Sequence, residues 1–442
     1  MNVAGAPNIR PAASVLVLRD APRGVELLLM RRPERGDHDF RSGACVFPGG
    51  VLDAADREAW RWCLGQDDAM ASARLGLGDG GLDYFVAALR ECFEEVGLLF
   101  VCRPDGTPAD LAPHAEALRD WRHRLHRGQA TMAALCESFD WRLDLRDMAY
   151  FSHWLTPALR PKRFDTRFFV RLAPPAQQAL PDLGEALELL WLTPDEALEP
   201  QRALKLLNVT QRTLQDMRGF ASARAAYEHA RALRGVALHL PRPALTRDGQ
   251  QRFIIEDHPA YDEIALLDPD ARGGLRCELQ AGDVQRLSPR LVRVAGQRRH
   301  AYVVTDTAGS EAALVDPDPT DLPQWQAVQA TVQAAVPQTV RWLLFLAPDA
   351  QQTCATLAAR WPAAQVWRAG AAPDRAGDHT FALGADTRLE SVACGAQRGL
   401  CIVEDALLLA GDADRVEPSC GAAAGADWVA GRRGFLHRLR DG

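Results

Sequence analysis

The sequence has almost no lysine: among its 51 lysine and arginine residues, only Lys162 and Lys205 are lysines. Arginine takes the place of lysine throughout, and alanine is abundant, which is typical of a GC-rich, bacterial genome. The arginines alone do not indicate phosphate binding, because guanidinium groups recognise phosphates only where the fold places them. The formal net charge of -7 argues against nucleic-acid binding, which depends on neutralising many phosphates.

Long apolar segments and paired cysteines are also missing. No apolar run reaches the ~20 residues of a membrane-spanning helix, and no basic stretch followed by an apolar one opens the sequence. The ten cysteines include no CxxC pair, so we expect buried thiols rather than a zinc ribbon, a redox dithiol or disulfides. These features predict a cytoplasmic protein without a membrane partner, and they leave homodimer formation open.

The length of 442 residues predicts more than one domain, because single cores stop growing near ~250–300 residues. We expect a first domain at 8–230, an irregular connecting segment rich in Pro, Gly and Asp at 231–290, and a second domain at 291–442. Alternating strand and helix patterns in both domains indicate an α/β (α+β) protein.

Apolar periodicity also predicts individual elements. In the first domain the pattern gives strands at 12–20, 25–32, 164–171 and 186–192, and helices at 83–96, 113–137 and 203–233. In the second it gives strands at 301–305, 312–315 and 342–346, and helices at 322–335 and 350–360.

Three acidic residues mark the stretch that can carry chemistry. Glu91, Glu94 and Glu95 are spaced i, i+3 and i+4, so a helix places all three on one face. Like charges at this spacing destabilise a helix, and a hard divalent cation with oxygen ligands relieves that repulsion. The alternative is a solvated acidic face, which would account for an isolated Glu-Glu pair.

The surrounding residues resemble the Nudix box, Arg-Glu-apolar-x-Glu-Glu-x-Gly-apolar. Every specified position is filled between Arg90 and Leu98, and Phe47-Pro48-Gly49-Gly50 is similar to the glycine end of the motif. The resemblance implies an N-terminal α/β/α sandwich with a mixed sheet and a hydrolase that cleaves acid anhydrides.

The motif departs from the common form in one respect. Gly50 and Arg90 are separated by an insertion at about 58–83, and Asp56 stands where the box has its first glutamate. The insertion contains Trp60 and Trp62, so it is either a cap over the active site or an inert excursion.

The expanded box resembles the branch of Nudix proteins that includes coenzyme A diphosphatases. The stretch 163–169, after His153-Trp154, is also similar to that branch. This resemblance implies cleavage of the pyrophosphate of CoA or an acyl-CoA, giving an adenosine bisphosphate and a phosphopantetheine product. Two alternatives stay open: a Nudix hydrolase of NADH, dinucleotides or nucleotide sugars, and a non-catalytic nucleotide sensor.

The resemblance assigns roles to individual residues. Mg²⁺ or Mn²⁺ would be held by the carboxylates of Glu91, Glu94 and Glu95 and by the carbonyl of Gly50. Glu94 or Glu95 would accept a proton from the attacking water, and Arg90 would orient the carboxylates. The residues considered for binding the small nucleotide substrate are Arg31, Arg32 and Arg41, which could equally be ordinary surface arginines.

The second half resembles a metallo-β-lactamase fold, an αββα sandwich. Active members carry a His-x-His-x-Asp-His cluster after the strand that corresponds to 342–346. Here no histidine occurs from Ala301 to Asp378, and only Asp349 and Asp412 are plausible ligand types. Two carboxylates without imidazole make a poor zinc site, so we expect a degenerate, non-catalytic domain.

Overall fold

The fold is given by a computed structural model, which describes residues 9–34, 42–182, 184, 186–335, 339–346, 351–369, 379–394, 397–410, 425–431 and 433–439. The chain divides into two compact units, Met1–Pro241 and Arg242–Gly442. Within the described ranges, no helix has both the length and the apolar character needed to cross a membrane.

The first unit contains eleven strands and seven α-helices within its described residues. The strands are β1 (Ile9–Ala21), β2 (Gly24–Arg31), β3 (Cys45–Val46), β4 (Gly49–Val51), β5 (Cys63–Leu64), β6 (Val101–Cys102), β7 (Arg142–Asp144), β8 (Met148–Leu155), β9 (Arg163–Leu172), β10 (Glu188–Leu192) and β11 (Leu238–His239). The helices are α1 (Asp68–Leu75), α2 (Gly81–Val96), α3 (Ala115–His126), α4 (Met132–Phe139), α5 (Pro194–Leu198), α6 (Asn208–Asp216) and α7 (Ala223–Ala232).

A mixed sheet forms the centre of this unit. Its strand order is β10-β2-β1-β9-β8-β11, with β3 paired to β2 and β4 paired to β1. The long strands β1 and β9 run parallel, whereas β1 and β2 form an antiparallel pair. Successive side chains of β1, from Val15 to Leu18, are all buried. Because neighbouring side chains of a strand point to opposite faces, both faces of the sheet are covered.

Helix α2 covers one face because its apolar residues recur at helical spacing. Phe85, Leu89 and Cys92 are buried in the same core cluster as Val15 and Val17 of β1. The helix ends at Gly97, whose backbone is left-handed (φ 75°) and whose N–H donates to the carbonyl of Phe93. A glycine meets this requirement without the strain that a Cβ would add. Helix α7 packs against β8 and β9.

Two long helices of the sequence prediction are each divided in the structure. The predicted helix at 113–137 is α3 followed by α4, with Gly128 at φ 65° between them. The predicted helix at 203–233 is α6 followed by α7, with Gly219 at φ 80° between them. Both glycines adopt the left-handed conformation that ends helices, and this overrides the apolar periodicity.

The insertion at 58–83 is folded. It contributes the end of a 3₁₀ helix (Ala54–Trp62), β5, α1 and the first turn of α2. Trp60 donates its indole N–H to Asp83 at 2.7 Å, and the N–H of Gly81 donates to the hydroxyl of Ser72 at 2.8 Å. Trp60 and Trp62 pack against the core cluster that contains α2, so the segment supports the helix that carries the three glutamates.

Some strands and one helix of the second unit lie in the region 242–290, for which the sequence predicts an irregular connection. The strands are β12 (Arg242–Leu245), β13 (Gln251–Ile254), β14 (Val284–Arg286), β15 (Leu291–Val294), β16 (Ala301–Thr305), β17 (Ala312–Val315), β18 (Val340–Phe345), β19 (Gln365–Arg368), β20 (Thr380–Leu383), β21 (Thr387–Cys394), β22 (Gln397–Ile402), β23 (Leu407–Leu409), β24 (Trp428–Ala430) and β25 (His437–Arg438). The helices are α8 (Tyr261–Leu267), α9 (Leu322–Ala335) and α10 (Gln351–Arg360).

Two six-stranded sheets, β14–β19 and β20–β25, form the body of this unit. One core cluster joins Tyr302 and Val304 of the first sheet to Leu389 of the second. The intervening residue Val303 belongs to another cluster, with Val328 of α9 and further residues of α10. Because neighbouring side chains of β16 belong alternately to these two clusters, the second sheet lies on one face of the first sheet and the helices lie on its other face.

A buried ion pair fixes α8 within the second unit. The guanidinium of Arg293 donates to both carboxylate oxygens of Glu263, at 2.5 and 2.9 Å, and the two side chains are 2% and 4% exposed. The N–H of Leu436 donates to the same carboxylate at 2.7 Å. Removing one partner of such a pair strongly destabilises the fold, because the other charge stays buried. The region 242–290 therefore holds part of the second unit together and is not only a connection.

Candidate active site

The three glutamates of α2 are largely withdrawn from water. Glu94 is 7% exposed and Glu95 is 1% exposed, whereas Glu91 is partly buried. Carboxylates are rarely buried unless they are compensated by partners. This burial excludes the alternative of a solvated acidic helix face.

Arg90 supplies much of that compensation. Its Nη1 donates to Glu91 at 2.8 Å and to Glu94 at 3.3 Å, and its Nε donates to Asp56 at 2.7 Å. Although burial alone would lower the pKa of Arg90, these carboxylates raise it above its ordinary value. Arg90 thus stays charged and contacts three acidic side chains, those of Asp56, Glu91 and Glu94.

Asp56 forms the other half of this arrangement. It is only 1% exposed, and it accepts the N–H of Asp53 at 2.8 Å as well as the hydrogen bonds of Arg90. The same contact makes Asp56 part of the capping box of the 3₁₀ helix. Its place in the motif therefore serves to position Arg90 and the chain that leads into the insertion.

Two glycines allow the end of the Phe47–Gly50 stretch to lie against the glutamates. A Cβ on Gly49 would come within 2.4 Å of the carbonyl oxygen of Ala13, and a Cβ on Gly50 within 2.4 Å of Glu91 Oε1. The N–H of Gly49 donates to Glu95 Oε2 at 2.7 Å. The missing side chain of Gly49 lets β4 lie against β1, and the missing side chain of Gly50 leaves space for the carboxylate of Glu91.

A substitution of Gly50 tests whether the geometry of the site can be disturbed without a loss of stability. In Gly50→Ala the new methyl group must displace the carboxylate of Glu91, which is the flexible end of a side chain. We expect the thermal midpoint to change little and kcat/KM to fall by about 10²-fold, the cost of a misplacement near 1 Å. Steady-state kinetics and a thermal melt of the same preparation check this. Parental activity in Gly50→Ala would contradict a role for this contact.

The three glutamates line one cavity of about 500 Å³ in the first unit. The remaining residues of its lining supply positive charge and apolar surface. The cationic groups are Arg10, Arg32 and Lys162, and the apolar side chains include Val46, Phe47, Phe164, Phe168, Leu207 and Val209. Carboxylates, cations and aromatic rings in one cavity suit a ligand that is both charged and partly apolar.

The structure separates the three arginines considered for substrate binding. Arg32 lines the cavity, and its Nη1 lies 4.0 Å from Glu95. Arg31 is not part of the lining and pairs with Glu188 at 3.1 Å. Arg41 lies outside the described residues. Trp60 and Trp62 do not line the cavity either, so the cap considered for the insertion is not formed by these side chains.

Sequence reasoning missed several residues of the cavity. Arg10 and Lys162 are exposed at its lining, and neither has an ion pair among the described residues. Lys162 carried a signal, because it is one of only two lysines in an arginine-rich chain. Phe164, Thr166 and Phe168 alternate along β9, a periodicity of two that could have placed them on one face.

The residues present fit a divalent cation in their chemistry. The donors are carboxylate oxygens and the main chain of Gly50, the hard ligands that Mg²⁺ and Mn²⁺ prefer. The space beside Glu91 that a Cβ would fill is kept open by Gly50. In the described part of the chain, however, no three His, Cys, Asp or Glu side chains already converge as a metal centre. Binding of an ion would therefore require rearrangement of side chains that now contact Arg90.

Comparisons with known proteins place the chain. The model of the NUDT19 Nudix domain matches residues 76–208. The human acyl-coenzyme A diphosphatase NUDT19 is 32% identical over 334 residues, which are 66% of this chain and 87% of the human protein. The chicken (Gallus gallus) protein of the same name is 30% identical over 328 residues, 60% of this chain and 82% of the relative. A crystal structure of a Nudix hydrolase from Alicyclobacillus acidocaldarius is 28% identical, covering 51% of this chain and 97% of that one, with a TM-score of 0.42.

The fold of the first unit and its glutamate-lined cavity are those of a pyrophosphate-cleaving hydrolase of the Nudix class. Within that class, the chain belongs to the NUDT19 family. Nudix hydrolases generally use divalent metal ions. The sequence expectation of a Nudix hydrolase is confirmed.

Proposed function

We propose that the protein hydrolyses the pyrophosphate linkage of CoA or an acyl-CoA, with Mg²⁺ or Mn²⁺ held by Glu91, Glu94, Glu95 and the carbonyl of Gly50. The observation that carries the proposal is the single cavity that joins these carboxylates to Arg10, Arg32 and Lys162. The relatives named acyl-coenzyme A diphosphatase support the choice of substrate.

The composition of the cavity suits the parts of a CoA molecule. A bound divalent ion would neutralise the diphosphate and acidify a coordinated water. Arg10 and Lys162, which have no ion pair among the described residues, would bind phosphate oxygens by charge-assisted hydrogen bonds. Phe47, Phe164 and Phe168 provide aromatic surface for the adenine ring or the pantetheine chain.

The chain's own residues then divide the remaining work. Glu94 or Glu95 accepts the proton of the attacking water, because both carboxylates line the cavity. Arg90 and Asp56 hold the acidic side chains in place through the hydrogen bonds described above. Most of the catalysis is positioning and electrostatic stabilisation, as is usual for attack on phosphorus.

Product analysis after incubation with CoA tests the proposal directly. With Mg²⁺ or Mn²⁺ present, we expect adenosine 3′,5′-bisphosphate and 4′-phosphopantetheine in equal amounts, and no cleavage in excess chelator. A parallel panel contains NADH, dinucleotides and nucleotide sugars. Faster turnover of one of these would replace CoA as the substrate, and nucleotide binding without any product would make the protein a sensor.

Lys162 offers a sharper test of the CoA assignment. Its exposed ammonium group at the cavity, without an ion pair among the described residues, suits the 3′-phosphate that distinguishes CoA from dephospho-CoA. In Lys162→Met we expect KM for CoA to rise about tenfold, the effect of one charge-assisted hydrogen bond. KM for dephospho-CoA should change by much less, and kcat should be nearly unchanged for both.

The other lysine is a matched control. Lys205 donates to the carbonyl of Ser42 at 2.7 Å and does not line the cavity. Lys205→Met should therefore leave both KM values near those of the parent. An equal rise of KM for CoA and dephospho-CoA in Lys162→Met would assign Lys162 to a part of the substrate that both compounds share.

We also propose that the second unit is a degenerate, non-catalytic domain related to metallo-β-lactamases. Its two packed sheets with helices on an outer face support this fold. The lack of histidine from Ala301 to Asp378 supports the loss of metal-dependent chemistry. The two aspartates considered as remaining ligands, Asp349 and Asp412, lie outside the described residues.

A further inference from the structure

The first unit has another cavity, of about 760 Å³, that shares no lining residue with the active site. We call it the Arg171 cavity. Its lining includes Phe93 and Gly97 at the end of α2, Leu118 and Arg122 of α3, Arg171 at the end of β9 and the exposed Leu180. Its volume is within the ~300–1,000 Å³ of cavities that bind small organic ligands.

Apolar side chains make up much of this lining. Phe93, Phe100 and Leu118 are almost fully buried, whereas Leu180 is 53% exposed. A large, half-exposed apolar side chain in the lining of the cavity offers surface that a ligand could cover. The body of a matching ligand is therefore a hydrocarbon chain or a similar apolar group.

Positive charge at the Arg171 cavity indicates that one end of the ligand is an anion. Arg171 is 6% exposed, and its only carboxylate contact within 4.0 Å among the described residues is Asp144, at 3.5 Å. Its Nη1 is buried and has no hydrogen-bond acceptor in the described part of the chain. A buried guanidinium N–H without an acceptor is costly, and an anionic oxygen that reaches it through a small shift of the Arg171 side chain would relieve that cost.

The charged part of the lining consists of four arginines (Arg119, Arg122, Arg146 and Arg171) and three aspartates (Asp110, Asp144 and Asp147), so it carries one positive charge in excess. Asp144 is already engaged by Arg146, at 2.9 and 3.0 Å, as well as by Arg171. Burial alone would raise the pKa of Asp144, but the hydrogen bond from Arg146 and the charge of Arg171 lower it, so Asp144 is ionised. Among the described residues, Arg122 donates to the carbonyls of Glu94 and Leu180, both at 2.9 Å. Arg119 has no ion pair among the described residues.

We propose that the Arg171 cavity binds an amphipathic carboxylate, such as a medium-chain fatty acid, with its apolar chain against Phe93, Phe100 and Leu118 and its carboxylate at Arg171. The same apolar chain occurs in the acyl group of an acyl-CoA, but there the carboxylate is a thioester without charge. The arginine therefore favours the free acid over the tail of a substrate.

Calorimetric titration of the full chain with dodecanoate, below its micelle concentration, tests the proposal. We expect saturable binding of one molecule per chain. Because the contact to Arg171 requires a charge, 1-dodecanol should bind at least about tenfold more weakly. Equal binding of the alcohol, or no saturable binding of the acid, would overturn the proposal.

Two variants of α3 locate the binding. Ala115 lines the cavity and is exposed, so Ala115→Trp fills space without removing a contact. Ala117 is exposed on the same helix outside the lining, and Ala117→Trp is the matched control. We expect Ala115→Trp to weaken dodecanoate binding at least about tenfold and Ala117→Trp to leave it unchanged. Equal affinities in the two variants would place the ligand elsewhere.

The titration is repeated with saturating CoA in the absence of divalent metal. Unchanged dodecanoate affinity supports a site separate from the active site, whereas competition by CoA would show that the acid binds at the active site and overturn the proposal. The outcome does not depend on whether the protein cleaves CoA.

Discussion

Glu94→Gln is expected to lower kcat/KM for CoA by about 10²–10⁴-fold, the range for removal of a general base. The amide has nearly the same shape as the carboxylate, but it neither accepts a proton nor carries the charge that a divalent ion requires. Glu95→Gln tests the neighbouring carboxylate in the same way. Initial rates over a range of Mg²⁺ and Mn²⁺ concentrations distinguish weakened metal binding, which excess metal restores, from loss of the base, which it does not.

Glu116→Gln is the matched control for these two variants. Glu116 is exposed on α3 and lies outside the cavity, so its substitution should leave kcat/KM unchanged. If Glu94→Gln and Glu95→Gln are both as active as the parent, the glutamates are not the catalytic groups.

Arg90→Met is expected to have the largest effect on stability. The substitution keeps much of the apolar stem but removes the cation that binds Asp56, Glu91 and Glu94. Removing one partner of a buried ion pair costs about 3–5 kcal/mol, because the remaining charge stays buried. Hydrogen exchange of the backbone amides of α2 measures the loss in the free energy of unfolding of the first unit.

The pH dependence of this variant follows from the same charges. Without Arg90, buried carboxylates have folded-state pKa values above their unfolded values. Their protonation then favours the folded state, so the deficit of Arg90→Met should be largest near neutral pH and shrink as pH falls toward about 4. A deficit below about 1 kcal/mol at neutral pH, or one that grows on acidification, would contradict this role of Arg90.

The glutamate motif of α2 could be predicted from the sequence because it depends only on interactions between residues that are close in the sequence. The spacing of Glu91, Glu94 and Glu95 on one helix, and the stop at Gly97, follow from helical geometry alone. The strands at 301–305 and 312–315 were also predicted with the bounds that the structure gives, because short, buried apolar runs flanked by turn residues leave few alternatives.

The rest of the site depends on contacts between distant parts of the chain. Arg10, Lys162 and Thr210 come together through the pairing of β1 with β9 and the position of α6, and sequence spacing does not encode such pairing. Likewise, Arg31 and Arg32 are neighbours in the sequence, but adjacent residues of an extended chain point in opposite directions. Only Arg32 reaches the cavity.

Because the chain has only two lysines, a label on lysine side chains can report on Lys162 at the substrate cavity. An isotopically labelled methyl tag attached to side-chain amines would give one resonance from Lys162 at the substrate cavity and one from Lys205, which is held by the carbonyl of Ser42. The first signal would follow occupancy of the cavity by magnetic resonance, while the second serves as an internal reference in the same spectrum.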